Sequence, residues 1–287
     1  MPELPEVETV RRGLAPVLEG ARLERVEQRR PDLRFAFPEG FVQRLTGARI
    51  ERLERRAKYL IARLDRGDAL VVHLGMTGRF EIEGGEAARR PGEFHYAAAA
   101  DPKHAHVVFE TDAGAVVTFF DPRRFGYMGL IALDGLEAHP WFAGLGPEPL
   151  GPDFTAVGLA AALAGRKQSI KTLLLDQRVV AGLGNIYVCE ALHRAGVSPQ
   201  TPAGAVSRAR LKAIATAVRE VLAEAIEAGG STLRDYAAVD GALGYFQHSF
   251  RAYGREHEPC ERAGCRGVIR RIVQSGRSTF YCAECQR

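Results

Sequence analysis

The chain has 287 residues, of which 46% are hydrophobic, and its formal net charge is +4. This length allows two domains with a sizeable core, and no apolar run reaches the roughly 18 residues of a membrane helix. The acidic start PELPEVE lacks the basic region of a signal peptide, so we expect a cytoplasmic protein without membrane association. Residues 251–287 contain eight arginines and four glutamates, which favours a polyanionic partner over a solvated basic tail.

The first half of the chain combines one helix with several strands. Apolar residues recur at helical spacing over residues 5–19, which predicts a helix whose positive end lies near Glu3 and Glu6. Alternation of apolar and polar residues then predicts strands. The strand-like runs are 22–29, 48–64, 69–83, 104–111 and 115–121. A stretch rich in proline and glycine, 146–154, follows this half and is typical of an interdomain linker.

The second half of the chain changes to helical periodicity. Its helix-like runs are 154–165, 169–176, 185–196 and 207–230. Residues 231–250 have no clear period, and their glycines and small residues predict a loop that could close over a ligand. In the segment LLLDQRVVAGLGNIYVCEAL, two helices flank a glycine-containing double turn, and the second helix is predicted to begin near Asn185.

Cysteine spacing is the clearest chemical signal in the sequence. Four of the five cysteines form two close pairs. These four are Cys260, Cys265, Cys282 and Cys285. Two such pairs provide the thiolates of a tetrahedral Zn²⁺ site, and a reducing cytosol disfavours disulfides. The residues between the pairs, 267–281, predict a β-hairpin with Arg277 near its tip, whereas Cys189 is expected to be a small core residue.

Two interpretations of these C-terminal features remain open on the residues alone. The zinc hairpin could bind another protein or read DNA. Backbone N–H groups at the helix start near Asn185, next to glycines, could bind a phosphate, and a plain helix connection is the alternative. In either case, we predict an α+β fold with a β-rich N-terminal domain flanked by helices, then a helical domain and a zinc-binding β-hairpin. The predicted domains are 1–145, 155–250 and 251–287, with the linker at 146–154.

Six motifs distributed along the chain together suggest a family. They are MPELPEVET, RRAKYL, HLGMTGRF, DPRRFGY, AGLGNIY and GRSTFYCAECQR. The set resembles bacterial formamidopyrimidine-DNA glycosylases over essentially the whole chain. The related endonuclease VIII branch is less similar, because its start typically reads PEGPE whereas Leu4 stands here. The resemblance implies that the N-terminal domain is β-sandwich-like and that the helical domain is a helix-two-turn-helix domain. It also implies a monomeric glycosylase and AP lyase that excises 8-oxoguanine and formamidopyrimidines from double-stranded DNA and cleaves the strand by β,δ-elimination.

The resemblance implies a chemical role for the N-terminus. Once Met1 is removed, Pro2 would be the nucleophile, whose amine attacks C1′ of the damaged nucleoside and forms an iminium. An α-amino group titrates near pH ~8, so a useful fraction is neutral at physiological pH. Glu3 suits general acid/base chemistry, and Glu6 suits a supporting role at the helix start. A pair of helix-capping acids is the alternative for these two carboxylates.

The resemblance also implies roles around the damaged base. Lys58, one of only five lysines against 34 arginines, corresponds to a proton donor near the lesion, and an exposed strand lysine is the alternative. The base must leave the stack at a cost of a few kcal/mol. Met76, Arg123 and Phe125 match the positions that fill the resulting gap, with Arg123 facing the orphaned cytosine. Without that context, Met76 and Phe125 would be expected in the core.

Further DNA contacts follow from the same resemblance. Phosphate contacts are expected from Lys171, Asn185 and Arg277, and Arg277 is also expected to donate a proton during elimination. His104 is expected to contact DNA without a catalytic role. The residues implied in a loop over the extruded base are Ser231, Thr232 and Tyr245. Two rival functions remain: a DNA-binding module that needs no free Pro2 amine, and a protein-binding zinc ribbon that needs neither DPRRFG nor Lys58.

Overall fold

The computed structural model describes residues 2–84, 101–231 and 245–287. Its internal contacts divide the chain into two compact units. The first unit comprises Met1–Ala143 and Ala228–Tyr245, and the second comprises Gly144–Glu227 and Phe246–Arg287. The domain limits drawn from the sequence stay predictions, and they differ from this division in assigning residues 228–245 to the helical domain.

Two four-stranded antiparallel sheets and a long helix build the first unit. Its helices and strands are α1 (Leu4–Leu18), β1 (Leu23–Gln28), α2 (Phe41–Leu45), β2 (Ile50–Arg56), β3 (Tyr59–Leu64), β4 (Asp68–His73), β5 (Arg79–Gly84), β6 (Ala105–Thr111), β7 (Ala115–Phe120) and β8 (Tyr127–Ala132). One sheet has the order β1-β6-β7-β5 and the other β2-β3-β4-β8. Side chains of both sheets and of α1, such as Leu14, Leu60 and Phe119, share one buried core. The predicted α+β class with a sandwich-like first part is confirmed.

The helical period of the first segment fixes how α1 packs. Its buried apolar side chains are Leu4, Val7, Val10, Leu14, Val17 and Leu18. They recur three or four residues apart, so they form one stripe along the helix. The helix packs against β2 and β3, and burial of this stripe fixes α1 on them. The N-terminal residues are therefore positioned by the hydrophobic core rather than by a loop.

Glycines and tight turns explain where the strands differ from the predicted runs. The run 48–64 is two strands, because Ala57 takes a positive φ of 52° in the turn between β2 and β3. The sequence analysis missed β8, whose Gly129 interrupts the usual β-branched pattern. A Cβ on Gly129 would lie 2.8 Å from the Trp141 ring, so glycine lets that ring cover the strand.

The second unit contains four α-helices and one β-hairpin within its described residues. They are α3 (Ala156–Leu163), α4 (Ile170–Leu174), α5 (Asn185–Ala195), α6 (Arg208–Glu227), β9 (Ile269–Gln274) and β10 (Arg277–Cys282). The helix α5 begins at the predicted residue, and eight consecutive side chains from Ile186 to His193 are buried. Such all-round burial makes α5 the central helix of this unit. No helix in the described part of the chain is apolar and long enough to span a bilayer.

Candidate functional site

Two buried carboxylates, Glu3 and Glu6, lie at the first turn of α1. Glu3 is the N-cap residue, and its backbone N–H donates to Glu6 Oε2 at 2.8 Å. The other oxygen of Glu6 accepts hydrogen bonds from the N–H of Ser231 at 2.8 Å and from its hydroxyl at 3.0 Å. Glu6 therefore caps the helix and also fixes the start of the predicted lesion loop. Helix capping by Glu6 is therefore observed, and its supporting role in catalysis stays a prediction.

Lys58 is buried in the two-residue turn between β2 and β3, and it is not an exposed strand lysine. The turn is fastened to α1 through Arg55. The Arg55 Nε donates to Glu8 Oε2 at 3.2 Å, and the Arg55 Nη1 donates to the Ala57 carbonyl at 3.0 Å. Burial acts to raise the pKa of Glu8, but Arg11, Arg55 and Arg12 outweigh it and hold the pKa below its usual range. This ionised carboxylate links the turn that carries Lys58 to the start of α1.

His73 is a partly buried residue near Lys58 that the sequence analysis left without a role. Burial, followed by the positive charges of Lys58 and Arg34, lowers the pKa of His73 to about 4. The ring is therefore neutral near pH 7, and its Nδ1 accepts a hydrogen bond from Gly75 N–H at 3.0 Å. It stacks on Tyr127 with ring centres 4.9 Å apart. These contacts hold the end of β4 and the first residues of loop 74–78.

Loop 74–78, which contains Met76, packs directly against loop 121–126. A Cβ on Gly75 would lie 2.3 Å from the Gly126 nitrogen, so only glycine allows this approach. The Thr77 hydroxyl donates to Asp121 Oδ1 and accepts from the Arg123 N–H at 3.2 Å. The other Asp121 oxygen accepts from Gly126 N–H at 2.7 Å. A fully buried aspartate thus closes loop 121–126 on itself and ties it to the loop that carries Met76.

The tip of loop 121–126 presents a cation and an aromatic ring to solvent. Phe125 is 41% exposed, so it is not a core residue, and Met76 is partly exposed. The Arg123 guanidinium lies 4.9 Å from the centre of the Phe125 ring. Between them, Arg124 adopts a positive φ of 56°, in the left-handed region that residues other than glycine seldom take. An exposed apolar ring with an adjacent arginine is the chemistry expected of a DNA wedge.

Two residues of the predicted lesion loop, Ser231 and Tyr245, form an antiparallel bridge. The Tyr245 N–H also donates to the Ala228 carbonyl at 3.1 Å. Thr232, predicted in the same loop, lies outside the described residues. His104 ends a short 3₁₀ helix, and its carbonyl accepts from Asp121 N–H at 3.1 Å, so its backbone supports loop 121–126.

In the second unit, α4 and α5 flank the predicted double turn, and the Gln177 side chain braces it. Its amide donates to the carbonyls of Leu175 at 3.1 Å and Leu183 at 2.9 Å. Its carbonyl accepts from Gly182 N–H at 2.8 Å, where the backbone takes a positive φ of 84°. These three hydrogen bonds replace regular helix bonding across the turns, so one side chain fixes the path into α5.

Lys171 and Asn185 are both bonded to strand β10. The fully buried Lys171 ammonium donates to Thr279 Oγ1 at 2.6 Å and to the Ser278 carbonyl at 3.3 Å. Asn185 Nδ2 donates to the same carbonyl at 2.9 Å. Arg277 precedes this carbonyl and is exposed at the hairpin turn, as predicted. Lys171 therefore supports the hairpin from inside, an unexpected position for a predicted phosphate ligand, and its contact with DNA stays a prediction.

The four predicted metal ligands converge at the base of the hairpin. The sulfur atoms of Cys260, Cys265, Cys282 and Cys285 all lie within 4.8 Å of one another. Two of the separations are 3.8 Å and 3.6 Å, close to the roughly 3.8 Å expected between sulfurs that lie about 2.3 Å from a tetrahedral Zn²⁺. A Cβ on Gly267 would lie 2.6 Å from the Cys282 sulfur, so glycine is needed beside the cluster. The donor set and its spacing fit zinc.

Three family models match the chain in order. They describe the formamidopyrimidine-DNA glycosylase N-terminal domain over residues 1–128, its H2TH domain over 145–237, and a zinc finger found in FPG and IleRS over 258–287. The formamidopyrimidine-DNA glycosylase of Phenylobacterium zucineum is 70% identical over 287 residues, with both chains covered completely. The chain belongs to the formamidopyrimidine-DNA glycosylase family. The formamidopyrimidine-DNA glycosylase of Caulobacter sp. is 67% identical over 286 residues, and both chains are again covered completely.

Solved structures of formamidopyrimidine-DNA glycosylases share the whole fold. The Fpg protein from Thermus thermophilus is 39% identical, with a TM-score of 0.83, and the match covers 99% of this chain and 98% of that one. Lactococcus lactis Fpg in a complex with abasic-site DNA is 33% identical, with a TM-score of 0.86 and 99% coverage of both chains. The resemblance drawn from six short motifs is therefore confirmed along the entire chain.

The zinc-finger match agrees with the four-cysteine cluster, and the predicted cofactor, one structural Zn²⁺, is confirmed. Cys189 lies buried in α5 outside this cluster. As in other structural sites, the ion would act by holding the chain in place, and all four of its positions would be filled by protein sulfurs. The sequence analysis identified these ligands but missed Thr77, Asp121 and Gln177, whose role depends on distant hydrogen-bond partners.

Proposed function

We propose that this formamidopyrimidine-DNA glycosylase is bifunctional, a glycosylase and AP lyase that removes 8-oxoguanine and formamidopyrimidines from double-stranded DNA. The observation that carries the proposal is that the first unit fastens the buried start of α1, with Glu3 and Glu6, to the turn that contains Lys58. A solved complex of a Lactococcus lactis relative with Fapy-dG-containing DNA supports the substrate class. The protein would act as a monomer in the cytoplasm, where it would bind the DNA of the nucleoid.

The proposed reaction starts from the secondary amine that Pro2 acquires when Met1 is removed. The nitrogen bonds to C1′ while the bond from C1′ to the base breaks, and the departing base takes up a proton from Lys58. Glu3 then accepts the proton of the attached amine and delivers it to O4′ as the sugar ring opens, and C1′ becomes doubly bonded to the proline nitrogen. Glu6 supports this step by holding the Glu3 backbone.

Strand cleavage would follow from the iminium. Loss of a proton from C2′ expels the 3′ phosphate, and a second elimination expels the 5′ phosphate. Arg277, exposed at the hairpin turn, is the proposed proton donor and phosphate contact for elimination. Hydrolysis of the remaining iminium by water releases Pro2. The reaction therefore ends with the base removed, both phosphates free and the enzyme restored.

A duplex with 8-oxoguanine opposite cytosine tests this proposal directly. We expect base release and a strand break that leaves phosphate on both ends, whereas an undamaged duplex stays intact. A bound but uncut 8-oxoguanine duplex would favour the non-enzymatic DNA-binding module. No binding at all would favour the protein-binding zinc ribbon. A duplex with an oxidised pyrimidine as the better substrate would favour the endonuclease VIII branch.

Replacement of Arg123 by alanine is expected to weaken discrimination for cytosine opposite the lesion by about 5- to 150-fold, because one good hydrogen-bonded base contact is worth about 1–3 kcal/mol. Excision should be measured with each of the four bases opposite 8-oxoguanine. Arg124→Asn is the matched control, since it removes the neighbouring exposed charge and asparagine tolerates the positive φ there. An unchanged preference in Arg123→Ala would remove this residue from the role.

The Thr77 hydroxyl is expected to matter because it joins the loops of Met76 and Arg123. Thr77→Val keeps the shape but removes the hydrogen-bond partner of Asp121 Oδ1 and of the Arg123 N–H, which costs about 1–3 kcal/mol. We expect kcat/KM for 8-oxoguanine to fall by about 5- to 150-fold. Thr77→Ser retains the hydroxyl and should stay near the wild-type value. Equal activities of the two variants would contradict the coupling of these loops.

A further inference from the structure

His193 lies in the last turn of α5, facing the zinc cluster. Its side chain is only 2% exposed, and its Nε2 is 3.3 Å from the sulfur of Cys260, which is also buried. Nothing in the spacing of the four cysteines predicts a histidine that lies more than sixty residues earlier in the chain.

The direction of this hydrogen bond follows from the state of the sulfur. Cysteines bind Zn²⁺ as thiolates, and a thiolate can only accept a hydrogen bond. The imidazole nitrogen that faces it must therefore carry the proton. We propose that His193 donates a hydrogen bond from Nε2 to the zinc-bound thiolate of Cys260 and thereby slows loss of the metal.

The surrounding contacts show that the cluster is docked on the end of α5. Arg262 Nη1 donates to the His193 carbonyl at 3.2 Å. Gln286 Nε2 donates to the Val197 carbonyl at 2.9 Å, and Gln286 Oε1 accepts from Cys282 N–H at 2.8 Å. These contacts end on backbone atoms, whereas the His193 contact ends on a metal ligand. His193 is therefore placed to act on the zinc–sulfur bond itself and not only on docking.

Charge explains why such a donor would retain zinc. Four thiolates around one Zn²⁺ leave a net charge of −2, so the four sulfurs repel one another. A hydrogen bond to the Cys260 sulfur withdraws part of this charge and weakens the repulsion, so Cys260 leaves the metal more slowly. Removal of such an outer contact commonly costs about 10- to 100-fold in metal affinity.

Zinc release from the full-length protein tests the proposal without reference to activity. His193→Phe keeps a ring of similar size and removes the donor, whereas His193→Gln offers an amide Nε2–H in its place. We expect transfer of zinc to an excess of a chromogenic chelator to be about 10-fold faster from His193→Phe. His193→Gln should be closer to wild type. His257→Asn, which removes an exposed imidazole at a positive φ of 71°, should release zinc at the wild-type rate.

Cobalt substitution separates the hydrogen bond from general loosening of the site. Without the donor, the sulfur lone pair rises in energy, so the sulfur-to-cobalt charge-transfer band of His193→Phe should move to lower energy. Faster zinc release without this band shift would assign the effect to packing and overturn the proposal. Release rates that are equal in wild type and His193→Phe, or equal in His193→Phe and His193→Gln, would also overturn it.

Discussion

A chain that retains Met1 is expected to lose both base excision and strand cleavage by at least about 10³-fold, while it still binds DNA that contains the lesion. The retained methionine converts the Pro2 nitrogen into a tertiary amide, which has no nucleophilic lone pair. Glu3, Glu6 and Lys58 would all remain in place, so the loss would be due to the nucleophile alone. Activity on an 8-oxoguanine duplex and DNA binding should be measured on the same preparation.

The matched control is the same polypeptide after treatment with a methionine aminopeptidase, which should restore activity. Borohydride should then reduce the iminium and leave the protein covalently attached to lesion-containing DNA, with the adduct at residue 2 by mass spectrometry. Full activity with Met1 retained would contradict the mechanism. So would an adduct located at Lys58, because this would make the buried turn lysine the nucleophile.

The features that local sequence predicts best in this chain are those whose partners lie close by. Pairs of cysteines only a few residues apart define the metal site, and the Ser275–Gly276 turn, with positive φ at both positions, defines the hairpin that places Arg277. The stripe of apolar residues defines α1. In each case, a single element carries its own pattern, so periodicity and spacing are enough.

The features that sequence could not predict depend on contacts between distant segments. Glu6 bonds Ser231, 225 residues away, and Thr77 bonds Asp121, 44 residues away. The burial of Lys171 could not be predicted either, because its sequence neighbours do not indicate that its ammonium bonds strand β10. Each of these polar groups is satisfied by partners that only the tertiary fold supplies, so the motif letters identify the residues but not their contacts.

Glu190 is another polar residue whose partners lie far away in the sequence, in the segment that precedes the zinc hairpin. It is a buried acid within α5, where a charge is normally disfavoured. Its oxygens accept the backbone N–H groups of Arg251, Ala252 and Tyr253 at 2.9, 3.0 and 2.7 Å. The central helix therefore fixes the chain just before the first cysteine pair, and it does so through a carboxylate whose partners lie about sixty residues away.

Loss of zinc is expected to unfold the hairpin and to reduce affinity for lesion-containing DNA by about 10²-fold or more. Apart from two cysteines, the core of this region consists of Ala252 and Ile269, with Phe280 partly buried beside it. So little apolar area cannot stabilise a two-stranded sheet, whereas binding of a structural Zn²⁺ contributes roughly 10–16 kcal/mol in zinc-finger peptides. The metal therefore supplies most of the stability that keeps Arg277 in position.

Cys282→Ser removes one ligand from the cluster and should yield protein with less than one zinc per chain by elemental analysis. Cys189→Ala is the matched control, because it changes a buried cysteine outside the cluster and should keep a full complement of metal. DNA affinity should be measured for both by fluorescence anisotropy, together with the thermal unfolding of the remaining chain. The role of the metal would be contradicted by zinc-depleted Cys282→Ser that binds DNA as tightly as wild type, because the hairpin would then hold its shape without the ion.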